Sequence, residues 1–188
     1  MYKKIILGTA QFGMKYGIAN NEGKIKSSEI FKVLNFLHKK KIKFLDTAYS
    51  YGTSQKEIGK YFKRTKKKFK IITKLSLKNN SDIIDQYETS LNLLGYIPNT
   101  ILAHNYKDYL DPNFHHQIKI LKKKHAIKNF GVSLYNVSEI KKVLTYGKPD
   151  FIQVPLNILD HRFINKKILK KVKKKSIKKI ARSVFLQG

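Results

Sequence analysis

The hydrophobic positions of this chain follow two alternating patterns. Short apolar runs rich in β-branched residues, such as KIILGTA near the start, predict β-strands, and each precedes a longer segment with apolar residues at helical spacing. In one such segment Ile30, Leu34 and Leu37 fall on one face of a helix. The pattern predicts seven strands, over residues 4–10, 43–47, 69–75, 100–104, 128–134, 151–155 and 179–186. It predicts six helices between them, over residues 28–39, 55–63, 82–94, 114–124, 138–146 and 165–174.

Strict alternation of strands and helices is typical of a parallel sheet covered by helices. Two architectures satisfy it, a doubly wound sheet and a (β/α)8 barrel. A doubly wound dinucleotide-binding fold is expected to carry GxGxxG after its first strand, whereas this chain has GTAQFG over residues 8–13. The repeat length is close to the barrel's, which is about 31 residues per unit. We therefore expect residues 1–188 to form a single α/β domain, a (β/α)8 TIM barrel that is incomplete by one strand.

The composition adds a strong positive charge, because 40 Lys and Arg residues stand against 12 Asp and Glu residues and leave a net charge of +28. Such a charge is compatible with binding to nucleic acid or to an anionic membrane. However, the basic residues are lysines at all but three positions, and they are scattered along the whole chain. Nucleic-acid readers rely on arginine forks. We interpret the charge as a lysine-rich solvated surface, and a basic polyanion-binding module stays the minor alternative.

Cysteine is absent, so the chain has no disulfide and no thiolate that could act as nucleophile or metal ligand. This fits a reducing compartment, and we expect a cytoplasmic protein. No stretch of the sequence approaches the roughly 18 apolar residues of a transmembrane helix, and we expect no membrane partner. The sequence leaves the oligomeric state open.

Polar residues follow the apolar runs at the C-terminal ends of six predicted strands. They are Asp46, Lys74, His104, Ser133, Gln153 and Ser183. In a (β/α)8 barrel these strand ends form the active-site face. Tyr51 follows the second strand and is expected in the loop above it, together with Tyr49, which either lines the mouth or caps the strand.

Four of these residues suggest proton-transfer chemistry. A tyrosine hydroxyl has a pKa of about 10, and a lysine ammonium beside it favours the phenolate, while an aspartate holds the lysine in place. A tyrosine such as Tyr51 can then donate a proton to a carbonyl oxygen that is becoming an alkoxide, and His104 can hydrogen-bond the same oxygen. The sequence shows neither a metal-ligand cluster nor an activated nucleophile. The set therefore fits carbonyl reduction, with the hydride supplied by a nicotinamide.

The same residues stand in motifs that resemble the aldo-keto reductase family. DTAYSYG (46–52) is similar to the family's D-T-A-x-x-Y-G segment. ITK (72–74) is similar to the strand of its catalytic lysine, and LAHN (102–105) to the strand of its histidine. GVS (131–133) is similar to its G-[VIL]-S segment, and FIQV (151–154) to the strand whose glutamine binds the nicotinamide carboxamide. The resemblance runs along essentially the whole chain.

This resemblance implies roles for individual residues. Tyr51 is the expected proton donor, and Lys74 the partner that lowers its pKa. Asp46 is the expected anchor of the lysine, and His104 the group that orients the substrate. The cofactor-binding residues implied by the resemblance are Asp46, Ser133, Gln153, Arg182 and Ser183.

Two positions differ from the pattern of many family members. Leu134 stands where many have an asparagine that contacts the carboxamide. Arg182 stands where many stack an aromatic residue on the nicotinamide, and a guanidinium can stack on a ring as well.

In the family, an eighth strand and the following helix carry the groups that bind the adenosine and its phosphate, and this chain ends just after the seventh predicted strand. We therefore expect a fragment, a shortened gene product or a barrel that another chain completes. The function implied is an oxidoreductase that uses NADPH, with NADH as the alternative. It would reduce a small carbonyl compound, an aldehyde or ketone such as a sugar-derived one, to an alcohol. The alternative is a catalytically impaired, truncated remnant or a non-catalytic subunit of the same fold.

Overall fold

The computed structural model describes residues 4–78, 82–98 and 100–186. This part of the chain forms a parallel sheet of seven strands that pair in sequence order. The strands are β1 (Ile6–Gly8), β2 (Phe44–Asp46), β3 (Lys70–Leu75), β4 (Thr100–Ala103), β5 (Asn129–Ser133), β6 (Phe151–Pro155) and β7 (Lys178–Arg182). Every neighbouring pair is parallel, so each connection returns the chain to the same edge of the sheet, and all strands end on one face.

The sheet is curled into a barrel. Gln153 on β6 donates a hydrogen bond to the Asp46 carboxylate on β2, with 3.2 Å between Nε2 and Oδ2. In a flat sheet these strands would lie about 19 Å apart, at about 4.8 Å per strand spacing, so only strong curvature brings the side chains together. Within the described residues β1 and β7 are not hydrogen-bonded to each other. The predicted α/β fold, an incomplete (β/α)8 TIM barrel with seven strands, is confirmed.

Eight α-helices within the described ranges connect and cover the strands. They are α1 (Ala10–Gly13), α2 (Ser27–Lys39), α3 (Ser54–Thr65), α4 (Ile83–Leu94), α5 (Tyr106–Leu110), α6 (Pro112–Lys124), α7 (Val137–Tyr146) and α8 (Lys166–Lys174). A 3-10 helix spans Arg162–Ile164. The prediction of six helices was too low, because α1 and α5 are too short to show a helical period in the sequence. The six predicted helices begin and end within two residues of their expected bounds. Within the described ranges, every helix is too short or too polar to span a lipid bilayer.

The strands are generally shorter than predicted, most of all β1 and β7. β7 ends at Arg182, and the residues that follow it, through Leu186, form a turn. The early end of β7 places Arg182 and Ser183 at the mouth of the barrel rather than inside a longer strand.

Side chains of β3 alternate between two environments, and this alternation positions the site. Ile71 is fully buried in the layer between the sheet and helices α2 and α3. Thr73 faces the same way and accepts a hydrogen bond of 3.0 Å from Gln55 on α3. Ile72 instead packs inside the barrel with residues of β4 and β7. Because side chains two apart share a face, Lys74 also points inward, at the carboxyl end of the strand.

Candidate active site

An ion pair between Lys74 and Asp46 lies at the centre of the barrel mouth. Lys74 Nζ lies 2.6 Å from Asp46 Oδ1, and the lysine side chain is only 2% exposed. The ammonium also donates to the Thr47 carbonyl at 3.2 Å. Burial disfavours the charge of Lys74 and is the largest single effect, but the attraction of Asp46 and Tyr51 and their hydrogen bonds together outweigh it and leave the pKa of the lysine raised above its ordinary value. Lys74 is therefore a permanent cation at neutral pH.

Tyr51 is the third group bound by this lysine. Lys74 Nζ lies 3.4 Å from the phenol oxygen and 5.0 Å from the centre of the ring. We expected the lysine to lower the pKa of Tyr51. The ammonium does act in that direction, but burial acts more strongly and the Asp46 carboxylate adds to it, so the pKa of Tyr51 is raised above its ordinary value. The phenol is thus protonated at neutral pH and able to donate.

Two glycines allow the loop that carries Tyr51 to fold closely against the first helix. A Cβ on Gly13 would lie 1.8 Å from the Tyr51 carbonyl oxygen, so no other residue fits at this position without a shift of the backbone. Thr53 donates its amide to the Gly13 carbonyl at 3.3 Å. Gly52 adopts a φ of +53°, which favours glycine. The loop between β2 and α3 is therefore packed closely against α1, which fixes its position.

A buried hydroxyl network supports the base of this loop. Ser54, the first residue of α3, donates to the Thr9 carbonyl at 2.9 Å. Thr9 in turn donates its hydroxyl to the Asp46 carbonyl at 3.0 Å. Both side chains are fully buried, so the network links the ends of β1 and β2 to the start of α3.

His104 follows β4 and faces Tyr51 across the mouth. The two ring centres lie 6.2 Å apart, with an angle of 78° between the ring planes. Burial, together with the weaker effect of the neighbouring cations, lowers the pKa of His104 to about 4. The imidazole is therefore neutral at neutral pH. Its Nδ1 lies 3.4 Å from the hydroxyl oxygen of Ser50, in the loop before Tyr51.

The ends of β5 and β6 contribute a second polar group. Ser133 and Gln153 are register partners on adjacent strands and are each only 1% exposed. The amide of Gln153 donates to Asp46, as described above, whereas its Oε1 is buried without a hydrogen-bond partner among the described residues. A buried acceptor without a partner fits a ligand that brings an N–H donor, such as a carboxamide.

Arg182, at the end of β7, stacks on an aromatic ring of the protein itself. Its guanidinium carbon lies 4.1 Å from the centre of the Tyr135 ring, and it donates to the Leu134 carbonyl at 3.2 Å. One face of the guanidinium is thus covered, and Nε is buried without a partner among the described residues. Ser183, the next residue, accepts a hydrogen bond of 3.4 Å from Arg182 and has a φ of +54°. The side chain of Leu134 is fully buried in the hydrophobic core and therefore does not contribute to the mouth of the barrel.

A cleft of about 480 Å³ opens beside these groups. It is lined by Tyr49, Ser50, Lys74, Ser76, Lys78, Gln86, His104, Asn105 and Tyr135. Tyr49 is one of the residues that line the cleft, and its backbone amide donates to the Lys74 carbonyl at 3.0 Å, which continues the pairing of β2 with β3. No group of three or more His, Cys, Asp or Glu side chains in the described ranges could hold a metal ion.

Sequence reasoning missed several of these lining residues. Ser76, Lys78, Asn105 and Tyr135 each lie within three residues of the end of a strand, so the rule that found His104 could have found them. Gln86 could not be found in this way, because it lies within α4 rather than after a strand, and only the packing of α4 in the folded chain brings it to the cleft.

Comparison with known proteins agrees with this architecture. The model of the aldo/keto reductase family matches residues 4–188. An aldo-keto reductase from Pseudomonas aeruginosa has a TM-score of 0.77 and 20% identity, covering 96% of this chain and 73% of that one. The holo form of an aldo-keto reductase from Bacillus halodurans has a TM-score of 0.75 and 18% identity, covering 96% of this chain and 61% of that one. A Bombyx mori aldo-keto reductase in complex with NADP has a TM-score of 0.71 and 20% identity, covering 96% of this chain and 62% of that one.

These structural similarities, at 18–20% identity, show a shared fold. The chain spans less than two thirds of the length of the Bacillus and Bombyx structures. A search of curated protein sequences found no significant match. The family model, in contrast, matches nearly every residue of the chain, and the chain belongs to the aldo/keto reductase family.

Proposed function

We propose that this chain is a nicotinamide-dependent carbonyl reductase, which converts a small aldehyde or ketone into an alcohol. The observation that carries the proposal is the position of Lys74, whose ammonium bonds to Asp46 at 2.6 Å and to the Tyr51 phenol at 3.4 Å. A buried cation held against a protonated phenol is an arrangement suited to proton donation.

Reduction of a carbonyl adds a hydride to its carbon and a proton to its oxygen. A bound reduced nicotinamide would supply the hydride. Tyr51 breaks its O–H bond and gives the proton to the oxygen, and the electron pair left on the phenolate faces the Lys74 ammonium. The raised pKa of Tyr51 keeps the proton in place until charge develops on the carbonyl oxygen. Asp46 keeps Lys74 charged and fixed in position.

His104 assists as a hydrogen-bond donor. Because its pKa is about 4, the ring carries a single N–H at neutral pH and does not compete with Tyr51 as an acid. Its position across from Tyr51, 6.2 Å between ring centres, lets both groups reach one carbonyl oxygen.

Five residues are proposed to hold the cofactor. Ser133 and the free Oε1 of Gln153 bind the nicotinamide carboxamide, and Arg182 offers the ring the face that Tyr135 leaves open. Ser183 and Asp46 are the other two residues proposed to bind the cofactor. We propose NADPH as the cofactor, with NADH as the alternative. The Bombyx mori relative is in complex with NADP, which supports this assignment.

The test is to compare the wild-type protein with Tyr51→Phe. We expect NADPH to bind both with the same Kd, measured by NADPH fluorescence. We expect the variant to lose about 100-fold or more of the rate of NADPH oxidation by short aldehydes, because it has no proton to give. Tyr146→Phe, at an exposed position on α7 outside the cleft lining, is the control and keeps its activity. Turnover by Tyr51→Phe at the wild-type rate would remove Tyr51 from this role. Failure of the wild-type protein to bind NADPH would favour the alternative of a non-catalytic chain.

A further inference from the structure

Asp108, on the short helix α5, is a buried carboxylate between two loops at the mouth of the barrel. The residue is only 6% exposed. Its Oδ1 accepts a hydrogen bond of 3.1 Å from the amide of Leu77, in the loop after β3. Its Oδ2 accepts one of 2.7 Å from the side chain of Asn105, in the loop after β4. A single side chain therefore joins the loops that follow two neighbouring strands.

These two loops carry groups of the candidate active site. His104 directly precedes Asn105, and its amide donates to the Leu75 carbonyl at the end of β3, at 2.8 Å. Lys74 is the residue before Leu75. The side chain of Asn105 also accepts a hydrogen bond of 3.0 Å from the Asp108 amide, so both ends of it are bound to Asp108. The segment that carries His104 is thus held against the end of the strand that carries Lys74.

The pattern of donors around Asp108 requires a carboxylate. Both of its oxygens accept a hydrogen bond. An amide has only one acceptor oxygen, and its NH2 group is a donor. An asparagine here would set that NH2 group against either the Leu77 amide or the Asn105 NH2 group, with two donors facing each other. Only a carboxylate satisfies both donors at once.

The charge of this carboxylate does not stabilise the fold. Burial raises the pKa of Asp108 above its ordinary value, although hydrogen bonds from Ser76, Leu77 and Asn105 oppose the shift. In the described part of the chain no Lys, Arg or His side chain forms an ion pair with it. A raised pKa means that the folded chain disfavours the ionised form, so the charge lowers stability at neutral pH. The structural contribution of Asp108 is therefore the arrangement of its hydrogen bonds.

We propose that Asp108 is a positioning residue of the active site, which fixes His104 in the place from which it and Tyr51 reach one carbonyl oxygen. This inference rests on the proposed reductase function and adds a residue to the same site. Asp108 does not line the cleft and acts only through the segments of Leu77 and Asn105. A small displacement of a group that binds a reacting atom is enough to lower the rate of the reaction strongly.

The experiment compares the wild-type protein with Asp108→Asn and with the double variant Asn105→Asp/Asp108→Asn. In the single variant one donor loses its acceptor, so the segment of His104 must shift. The double variant exchanges the amide and the carboxylate between the two positions and keeps all three of the hydrogen bonds described above. Glu57→Gln is the control, because it changes a similarly buried carboxylate to an amide on α3, outside the cleft lining.

The first measurement is the nuclear Overhauser effect between the ring protons of His104 and Tyr51, whose ring centres lie 6.2 Å apart. It needs neither cofactor nor turnover. We expect the effect to weaken in Asp108→Asn, to return in the double variant and to stay at the wild-type level in Glu57→Gln. An unchanged effect in Asp108→Asn, or no recovery in the double variant, would overturn the inference.

The second measurement is kcat for the reduction of propanal, together with the Kd and the number of sites for NADPH from fluorescence. We expect kcat to fall about 10-fold to 100-fold in Asp108→Asn and to recover in the double variant. We expect an unchanged Kd, because the residues proposed to hold the cofactor mostly end β5, β6 and β7. A merely structural role would lower kcat and the number of NADPH sites together, and that result would contradict the inference.

The two measurements also separate this inference from the proposed function. A His104–Tyr51 contact that depends on Asp108, in a protein that reduces no aldehyde, would contradict the reductase and keep the positioning role. Reduction of propanal with a contact that is independent of Asp108 would contradict the positioning role alone.

Discussion

Gln153 on β6 holds the Asp46 carboxylate on β2 across the inside of the barrel, with 3.2 Å between Nε2 and Oδ2. Asp46 is thereby bound at both oxygens, because Lys74 donates to Oδ1 at 2.6 Å. The other end of the Gln153 amide, Oε1, has no partner among the described residues. One side chain thus connects the proposed cofactor group to the proposed proton-donating group.

We predict that Gln153→Met weakens NADPH binding about tenfold, because methionine keeps the volume of the side chain and removes its amide. The measurement is the Kd from NADPH fluorescence. Gln55→Met is the matched control, since Gln55 is equally buried but donates to Thr73 on the outer side of the sheet. An unchanged Kd in Gln153→Met, or an equal change in both variants, would contradict the role of Gln153.

We predict that Lys74→Met destabilises the fold by about 3–5 kcal/mol, because it leaves the Asp46 carboxylate without its cation in a largely buried place. The double variant Asp46→Asn/Lys74→Met should recover part of this loss, since no uncompensated charge remains. Urea unfolding of the two single variants and the double variant gives the coupling between the side chains. Additive losses would show that the pair is not coupled in the folded protein.

We predict that His104 makes the stability of the protein fall as the pH falls from about 6.5 towards about 4. The pKa of His104 is about 4 in the folded protein against an ordinary value of 6.5, so in this window only the unfolded chain takes up the proton. The contribution is complete above pH 6.5 and is lost on acidification, with an upper limit of about 3 kcal/mol.

The measurement is the free energy of unfolding between pH 7 and pH 4 for the wild-type protein and His104→Asn, in which this part of the slope should be missing. His116→Asn, at an exposed position on α6, should keep the wild-type slope. Identical slopes for the wild-type protein and His104→Asn would show that His104 is not buried as a neutral ring.

We predict that Gly13→Ala lowers both stability and turnover. The new methyl group would meet the Tyr51 carbonyl oxygen at 1.8 Å and the Ser54 amide at 2.4 Å, so the Tyr51 loop must move. The expected cost is about 1–3 kcal/mol of stability. Gly8→Ala is the control, because no atom lies within 4 Å of its added Cβ. A fully active Gly13→Ala would show that the loop tolerates displacement.

We predict that the Ser50 hydroxyl fixes the tautomer of His104. If Ser50 donates to Nδ1, at 3.4 Å, the proton of the neutral ring resides on Nε2. Nitrogen NMR should show the Nε2–H form in the wild-type protein and in Ser50→Thr, and a mixture of tautomers in Ser50→Ala. A loss of structure would not shift the tautomer in this selective way. An unchanged tautomer in Ser50→Ala would assign its control to another group.

The alternation of strands and helices was enough to predict a parallel sheet covered by helices, because each strand is a compact apolar run and each main helix shows a regular period. The repeat length and the lack of GxGxxG after the first strand then favoured the barrel over a doubly wound sheet. The alternation also predicted that Asp46, Lys74 and His104 lie near one another, since each directly follows such a run. Short helices such as α5 carry no detectable period, and the stack of Arg182 on Tyr135 joins β7 to the loop after β5. That contact depends on the curvature of the sheet, which the spacing of residues does not describe.

The direction in which the pKa of Tyr51 shifts was the second property that the sequence could not predict. The residue types alone predict that a neighbouring lysine lowers the pKa of a tyrosine phenol. Whether the pKa of Tyr51 is raised or lowered depends on how deeply Tyr51 is buried and on how fully Asp46 neutralises the lysine. Both are properties of the folded chain.

The Lys74 ammonium has three N–H groups and three oxygen neighbours, from Asp46, Thr47 and Tyr51. With its pKa raised and its side chain 2% exposed, it has almost no free-amine nucleophile to offer. Acylating reagents should therefore modify the exposed lysines of this chain long before they reach Lys74. The charge of the exposed lysines can be removed chemically while the lysine proposed to assist proton donation stays intact.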